Sequence, residues 1–207
     1  MASKQKLVMF DFDGVLVNTL DMALAINQEI RPAMTREEYL HKHEGNVLTA
    51  FDTLSDAMQS GIDFFAEYHK RLGHHEVIPA LAEVIHDLAR RYVLVIVSST
   101  STQIIREYLT QQRLEVYFDD ILGKDVAPSK TTKLTMVCAQ HRLVPADCVF
   151  ITDTLGDLRE AAAAGVPAIA VTWGYHPAET LARGNPAALV HTPDQLRKVI
   201  TALVEKA

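Results

Sequence analysis

The hydrophobic pattern of this chain alternates between continuous apolar runs and segments with helical spacing. Continuous β-branched runs are typical of strands buried in a parallel sheet, whereas apolar residues three or four apart are typical of amphipathic helices. The apolar runs predict strands at residues 6–10, 92–97, 120–122, 148–152, 167–171 and 188–190. Helical spacing predicts helices at residues 80–91, 102–112, 131–142 and 158–164, and a closing helix after the last strand. This alternation predicts an α/β fold: a parallel sheet with helices on both faces.

The stretch from residue 19 to residue 72 departs from this alternation. Its apolar residues keep helical spacing throughout, and Thr35 with Glu38 forms a capping-box pattern. We interpret the stretch as three or four helices without a strand. Because it separates the first strand from the second, it predicts a small α-helical cap of residues 18–77, inserted into a core domain of residues 1–17 and 78–207.

Composition and charge narrow the possible partners. The formal net charge of -6 argues against a nucleic-acid partner, because binding along a phosphate backbone needs clustered lysine and arginine. The apolar run after the basic N-terminus is too short for a signal peptide or a membrane helix. Cys138 and Cys148 lack the spacing of a zinc site or a disulfide framework, which indicates reduced thiols. These features predict a cytoplasmic protein without a membrane partner, as a monomer or a homodimer.

Polar residues follow several of the predicted strands. Asp11 and Asp13 come after the first strand, Ser98 after the second and Asp153 after the fourth, and Lys130 precedes the helix that leads into the fourth strand. In doubly wound sheets the ligand site lies at the carboxyl ends of the strands. Three carboxylates there would bind a hard cation, and Mg²⁺ suits a site that also receives a phosphate. Each acid alone is better explained as a loop cap, but the combination indicates a magnesium and phosphate site.

Some assignments stay open at this point. Asp157 can be a helix N-cap, a supporting residue of the site, or both. Lys133 competes with Lys130 as the lysine that neutralises a phosphoryl group. Ser98 and Ser99 lie in a run of hydroxyl residues that could hydrogen-bond phosphate oxygens or form a turn.

Four motifs resemble those of the haloacid dehalogenase superfamily of phosphotransferases. Residues 11–17 are similar to its DxDGxx motif, Val97 and Ser98 to its second motif, Lys130 to its third, and residues 152–157 to its fourth. The motifs occur in the family's order, and the insertion occurs where members with a helical cap carry it. Thr131 stands where proline usually follows the motif lysine. The tail, from Val171 onward, also looks like the phosphoglycolate phosphatase branch.

The resemblance implies a Rossmann-like core and a phosphatase that transfers the phosphoryl group to Asp11. Asp13 would act as the general acid and base. Mg²⁺ would be held by Asp11, Asp153 and the backbone carbonyl of Asp13. Ser98 and Lys130 would offset the charge of the transferring group. The alternatives are a sugar-phosphate mutase of the same family and, from another class, a phospho-accepting regulatory module.

The predicted cap contains one loop whose residues suit recognition of a small phosphorylated metabolite. Lys42, His43 and Gly45 combine a cation, an imidazole and a glycine break. Such a loop can also be a solvated helix end, because basic residues favour the C-terminal dipole. We expect these three residues, together with Ser99, to contact the substrate when the cap covers the site.

Overall fold

The chain folds around a six-stranded parallel sheet. The structure is a computed structural model and describes residues 6–51 and 53–204. The strands are β1 (Leu7–Phe10), β2 (Val93–Val97), β3 (Asp120–Leu122), β4 (Cys148–Thr152), β5 (Ala168–Val171) and β6 (Ala188–Val190). Their order is β3-β2-β1-β4-β5-β6, and every pair is parallel. This confirms the predicted α/β sheet, with β1 at its centre.

Helices connect the strands and fill the insertion. They are α1 (Leu20–Ile30), α2 (Arg36–Lys42), α3 (Val47–Ala50), α4 (Thr53–Ser60), α5 (Phe64–Leu72), α6 (Leu81–Ala89), α7 (Thr102–Gln111), α8 (Lys130–Gln140), α9 (Leu155–Ala163), α10 (Ala178–Ala182) and α11 (Pro193–Val204). Helix α9 begins three residues earlier than predicted. In the part of the chain that the structure describes, no helix has both the length and the apolarity to cross a bilayer.

Both faces of the sheet are covered by helices, and the side chains of β1 alternate between the two sides. Val8 and Phe10 join the larger apolar cluster, which contains residues of α6, α7 and α11. Leu7 and Met9 join a second cluster, which contains residues of α8 and α9. All four side chains are fully buried. Burial on both sides explains why β1 reads as an unbroken apolar run.

Five helices, α1 to α5, lie in the stretch of residues 19–72, where three or four were predicted. The two ends of this insertion are adjacent, because Val17 and Val77 form an antiparallel bridge. The amide of Ile78 also donates to the carbonyl of Leu16 at 2.9 Å. We call residues 18–77 the helical insert; its limits at 17/18 and 77/78 stay a prediction.

Candidate active site

The carboxyl ends of β1, β2 and β4 bring the predicted polar residues to one edge of the sheet. Because Phe10 pairs with both Ile96 and Ile151, the loops after these three strands begin at the same level. A cavity of about 280 Å³ opens there between the sheet edge and the helical insert. Asp11, Asp13 and Lys130 line its floor.

Lys130 lies between two buried carboxylates. Its Nζ is 2.7 Å from Oδ2 of Asp11 and 2.6 Å from Oδ2 of Asp157. Thr152 also donates its hydroxyl to Asp157 at 2.7 Å. The N-cap of α9 is Thr154, whose hydroxyl accepts from the amide of Asp157. Asp157 is therefore not the cap residue; its carboxylate faces Lys130.

Burial and mutual charge determine the pKa values of Lys130, Asp157 and Asp11. Burial opposes the charged form of Lys130, but Asp11 and Asp157 outweigh burial and raise the pKa of Lys130 above its usual value. Burial would raise the pKa of Asp157, but Lys130 and the hydrogen bonds around it hold that pKa at about 2. Burial, with Asp157 and Asp153 nearby, raises the pKa of Asp11 despite Lys130. Lys130 is therefore in direct contact with two carboxylates and is the counter-ion of both.

Asp153 occupies a close-fitting space beside this group. One of its oxygens, Oδ2, accepts from the amide of Tyr175 at 2.7 Å. A Cβ atom added to Gly14 would lie 1.9 Å from the same oxygen, and one added to Gly174 would lie 2.2 Å from it. Only glycine therefore leaves room for the carboxylate at both positions. Burial raises the pKa of Asp153 to about 7.

In the described part of the chain, two features of this edge of the sheet suit Mg²⁺: an unpaired oxygen of Asp153 and an excess of carboxylates over lysine. The second oxygen of Asp153, Oδ1, is buried and has no hydrogen-bond partner among the described residues. Three buried carboxylates, those of Asp11, Asp153 and Asp157, lie near a single paired lysine. A buried acceptor without a donor and an excess of negative charge both suit a hard divalent cation.

The carboxylate of Asp13 points away from these acids. It accepts hydrogen bonds from the hydroxyls of Thr19 at 2.7 Å, Thr100 at 2.8 Å and Tyr68. The described residues contain no group of three or more His, Cys, Asp or Glu that could hold a metal ion. A cation shared by Asp11, Asp13 and Asp153 stays a prediction; in this structure the carboxylate of Asp13 is bound by hydroxyl groups instead.

The backbone after Asp11 explains the direction of Asp13. The chain turns at once, with the amides of Leu16 and Val17 donating to the carbonyl of Phe12, and Gly14 has φ +71°. The prediction assumed an extended segment, in which side chains two residues apart share a side. The backbone carbonyl of Asp13 stays a proposed metal ligand.

The hydroxyl run after β2 reaches the cavity through Ser99, which was predicted to contact the substrate, and through Thr100, which was not. Ser98 is fully buried, and its hydroxyl accepts from the amide of Thr100 at 3.0 Å. Ser99 and Thr100 line the cavity, whereas Ser98 is not among its lining residues. A role for Ser98 at the phosphoryl group stays a prediction, and Thr100 is a further candidate.

The two candidate lysines have different surroundings. Lys133 is fully buried, and its Nζ donates to the carbonyls of Ser98 and Gly123. Burial and the nearby Lys130 lower the pKa of Lys133 to about 8. Lys133 therefore connects two loops below the site, while Lys130 contacts Asp11 directly.

The predicted substrate loop of the helical insert reaches the cavity only in part. His43 and Gly45 line it, but Lys42 does not. The Nζ of Lys42 donates to the carbonyl of Ala50 at 2.8 Å and lies 4.9 Å from the centre of the Phe51 ring. Burial lowers the pKa of His43 to about 4, so its imidazole is neutral near pH 7. The structure thus places the ammonium group of Lys42 outside the cavity, in contacts within the insert itself.

Sequence reasoning missed the hydroxyl groups around Asp13. Thr19 precedes α1 but forms no side-chain cap; its hydroxyl is directed to Asp13 instead and is also 3.1 Å from the hydroxyl of Tyr175. Tyr68 reaches Asp13 from α5, 55 residues away in sequence. Of these three hydroxyl residues, only Thr100 could have been found from its neighbours in sequence, because it belongs to the hydroxyl run after a strand.

Comparison with protein families assigns most of the chain. The family model described as "Haloacid dehalogenase-like hydrolase" matches residues 8–171. A Vibrio vulnificus protein named phosphoglycolate phosphatase is 26% identical over 94% of this chain and 96% of its own length. A Synechococcus elongatus protein of the same name is 27% identical over 96% of this chain and 99% of its own length.

Solved structures show the same fold. A predicted phosphatase from Clostridium acetobutylicum superposes with a TM-score of 0.81 at 21% identity, covering 97% of this chain and 100% of that protein. A predicted phosphoglycolate phosphatase from Haemophilus somnus gives 0.76 at 23% identity, with 96% and 99% covered. The likeness extends over the sheet and the helical insert alike.

Proposed function

The chain belongs to the haloacid dehalogenase-like hydrolase family, and from this premise we propose that it is a Mg²⁺-dependent phosphatase that cleaves a small phosphomonoester through a phosphoaspartate at Asp11. The observation that supports this most strongly is the position of Asp11. Its carboxylate lies on the cavity floor, 2.7 Å from the ammonium group of Lys130. A nucleophile beside a fixed positive charge suits attack on a phosphate ester, because like charges would otherwise repel.

In the first step, a carboxylate oxygen of Asp11 attacks the phosphorus and the bond to the leaving oxygen breaks. Asp13 in its protonated form gives its proton to that oxygen. Lys130 stays protonated and offsets the negative charge of the phosphoryl group. The hydroxyls of Thr19, Tyr68 and Thr100 hold the Asp13 carboxyl group in one orientation.

In the second step, Asp13 takes a proton from water, and the water oxygen attacks the phosphorus of the aspartyl phosphate. The bond between phosphorus and Asp11 breaks, which releases inorganic phosphate and restores both carboxyl groups. Mg²⁺ held by Asp11, Asp153 and the Asp13 carbonyl would neutralise charge on the phosphoryl oxygens when bound.

The partner is then a small phosphorylated metabolite. Phosphoglycolate is the first compound to assay, because both relatives described above are named for it. Isomerisation of a sugar phosphate without release of inorganic phosphate would favour the mutase alternative. The cytoplasmic location and the monomeric or dimeric state stay predictions from the sequence.

Changing Asp13 to Asn should slow turnover by about 10²- to 10³-fold, because the side chain can no longer transfer a proton. With 4-nitrophenyl phosphate, whose leaving group needs no proton, the first step should suffer less than the second. The phosphoenzyme should therefore accumulate. Borohydride reduction of quenched enzyme, followed by mass spectrometry, should then find homoserine at position 11.

The matched control is Asp194→Asn, which makes the same change at an exposed residue of α11. It should turn over at the wild-type rate and show no accumulation. Wild-type turnover by Asp13→Asn would contradict the proposed proton transfer.

Changing Gly14 to Ala should displace Asp153 and reduce turnover by about 10²-fold, because small misplacements at a reacting centre have effects of this size. Gly61→Ala is a matched control. Gly61 has φ +73°, close to the +71° of Gly14, but nothing lies within 4 Å of its added Cβ atom. Both variants should lose about 1–2 kcal/mol from the left-handed backbone conformation. Turnover assays and thermal melts should show the additional loss in Gly14→Ala alone; equal turnover in both would contradict the role of Asp153.

A further inference from the structure

The wall that the helical insert contributes to the cavity is largely apolar. Its larger apolar members are Ile30, Val47, Leu48, Phe51, Phe64 and Phe65. The leaving group of a phosphomonoester bound at Asp11 would extend towards this wall, since the phosphoryl group must occupy the floor. The chemistry of this wall therefore decides which alcohols the site accepts as leaving groups.

Several polar side chains that line the cavity have partners within the protein. Tyr68 donates to Asp13, and the hydroxyl of Tyr175 is within hydrogen-bond distance of Thr19. The amide nitrogen of Asn27 donates to the carbonyl of Ala23 at 2.9 Å. These side chains close the cavity without offering a positive charge.

Positive charge is absent from the described insert residues that line the cavity. Lys42 and Arg31 lie near Phe51, at 4.9 and 5.8 Å from its ring centre, but neither lines the cavity. His43 does line it, as a neutral imidazole. The insert therefore contributes no counter-ion for an anionic leaving group.

The core side of the cavity has two lysines, Lys130 and Lys124, and of these only Lys130 has an ion pair among the described residues. Lys130 is paired with Asp11 and Asp157. Lys124 lies 2.9 Å from the centre of the Phe65 ring, and Asp63 and Asp125 are also close enough to affect its charge. A carboxylate on the leaving group would lose water and lie near the acids of the floor, and Lys124, held over the Phe65 ring, is the one lining cation outside an ion pair among the described residues.

We propose, resting on the phosphatase function above, that this site selects phosphomonoesters whose leaving group is uncharged and largely apolar, such as an aryl or arylalkyl alcohol. A leaving group that carries a carboxylate, as in phosphoglycolate, is disfavoured. A cavity of about 280 Å³ is at the small end of ligand pockets, so it suits a group of benzyl size better than a nucleotide. Aromatic side chains on the wall favour a ring by burial of apolar surface and by ring contacts.

The test compares esters that differ only in charge. Benzyl phosphate and 4-carboxybenzyl phosphate share the same scissile bond, and 2-phosphoglycolate adds a small carboxylated ester. With the full chain and Mg²⁺, we expect kcat/KM for benzyl phosphate to exceed the values for both carboxylated esters by about tenfold or more. Equal values, or a preference for the carboxylated esters, would overturn the proposal.

A charge added to the wall gives a second readout. Leu48→Lys should shift the ratio of kcat/KM values towards 4-carboxybenzyl phosphate by about tenfold, and Val47→Lys is the substitute if Leu48→Lys does not fold. Met58→Lys is the matched control, because it adds the same charge to the insert at a residue that is 81% exposed and outside the cavity. It should leave the ratio unchanged; an unchanged ratio in the folded wall variant would also overturn the proposal.

The failure of this inference can be distinguished from failure of the phosphatase function. Release of phosphate from 4-nitrophenyl phosphate, abolished by Asp11→Asn, would uphold the function even if benzyl phosphate is not preferred. Absence of phosphate release from every ester, in folded protein with Mg²⁺, would overturn both.

Discussion

Asp11→Asn should reduce turnover of every phosphomonoester by at least about 10⁴-fold, because an amide cannot serve as the nucleophile of the first step. The variant should still fold, since Lys130 keeps its ion pair with Asp157. Phosphate release and a thermal melt measure the two outcomes on the same sample. Borohydride reduction of quenched protein should yield homoserine at position 11 in the wild type and none in the variant.

Asp194→Asn is the matched control, and it should retain both turnover and stability. Substantial phosphate release by a folded Asp11→Asn variant would contradict the covalent mechanism. In that case water would have to attack the ester directly, and homoserine would be absent from the wild type as well.

Lys130→Met should destabilise the protein by about 3–5 kcal/mol and also abolish turnover. The substitution removes a cation that contacts two buried carboxylates, and an uncompensated buried charge has a cost of this size. Denaturant unfolding in the absence of Mg²⁺ measures the free energy of unfolding. Lys198→Met, at an exposed residue of α11, is the control and should change that free energy by less than about 0.5 kcal/mol.

A second variant separates the stabilising role of Lys130 from its role in turnover. Adding Asp157→Asn to Lys130→Met removes one of the two unpaired carboxylates, so part of the lost stability should return. Turnover should stay low, because no cation then faces the phosphoryl group. A Lys130→Met protein with wild-type stability would contradict the buried ion-pair account.

The sheet could be predicted from the sequence because its signals are local. Strands β3, β4 and β6 have the predicted limits, and β1, β2 and β5 each begin one residue later than predicted. Continuous apolar runs identify strands that are buried on both faces. The insert was harder to divide, because α3 has only four residues and one turn carries no periodicity.

Parts of the candidate site could be predicted for the same reason. Asp11, Asp153 and Lys130 follow or precede regular elements, and the order of the strands then brings them together. The role of Asp157 was ambiguous, because an aspartate at this position suits both a helix N-cap and a buried ion pair. In the structure the N-cap is Thr154.

The remaining parts depend on contacts between distant segments. Nothing near Tyr68 in the sequence indicates a hydrogen bond to Asp13, because packing of α5 against the core creates it. Lys42 has a suitable charge for an anionic substrate, but the carbonyl of Ala50 and the ring of Phe51 bind it inside the insert. The sequence shows that a side chain is charged, but the tertiary structure decides where that side chain points.

The bridge between Val17 and Val77 has a consequence for how this architecture can diversify. Since the chain leaves and re-enters the sheet domain at neighbouring points, the segment between them can be exchanged for another of different length without moving β1 or α6. Lys130, Asp11 and Asp157 would keep their mutual contacts during such an exchange, whereas Asp13 would need the new segment to replace the hydroxyl groups of Thr19 and Tyr68. Selectivity can therefore change in this protein with little change in chemistry, provided that a chimaera made at these two residues keeps a hydroxyl group at each of the two insert positions that bond to Asp13.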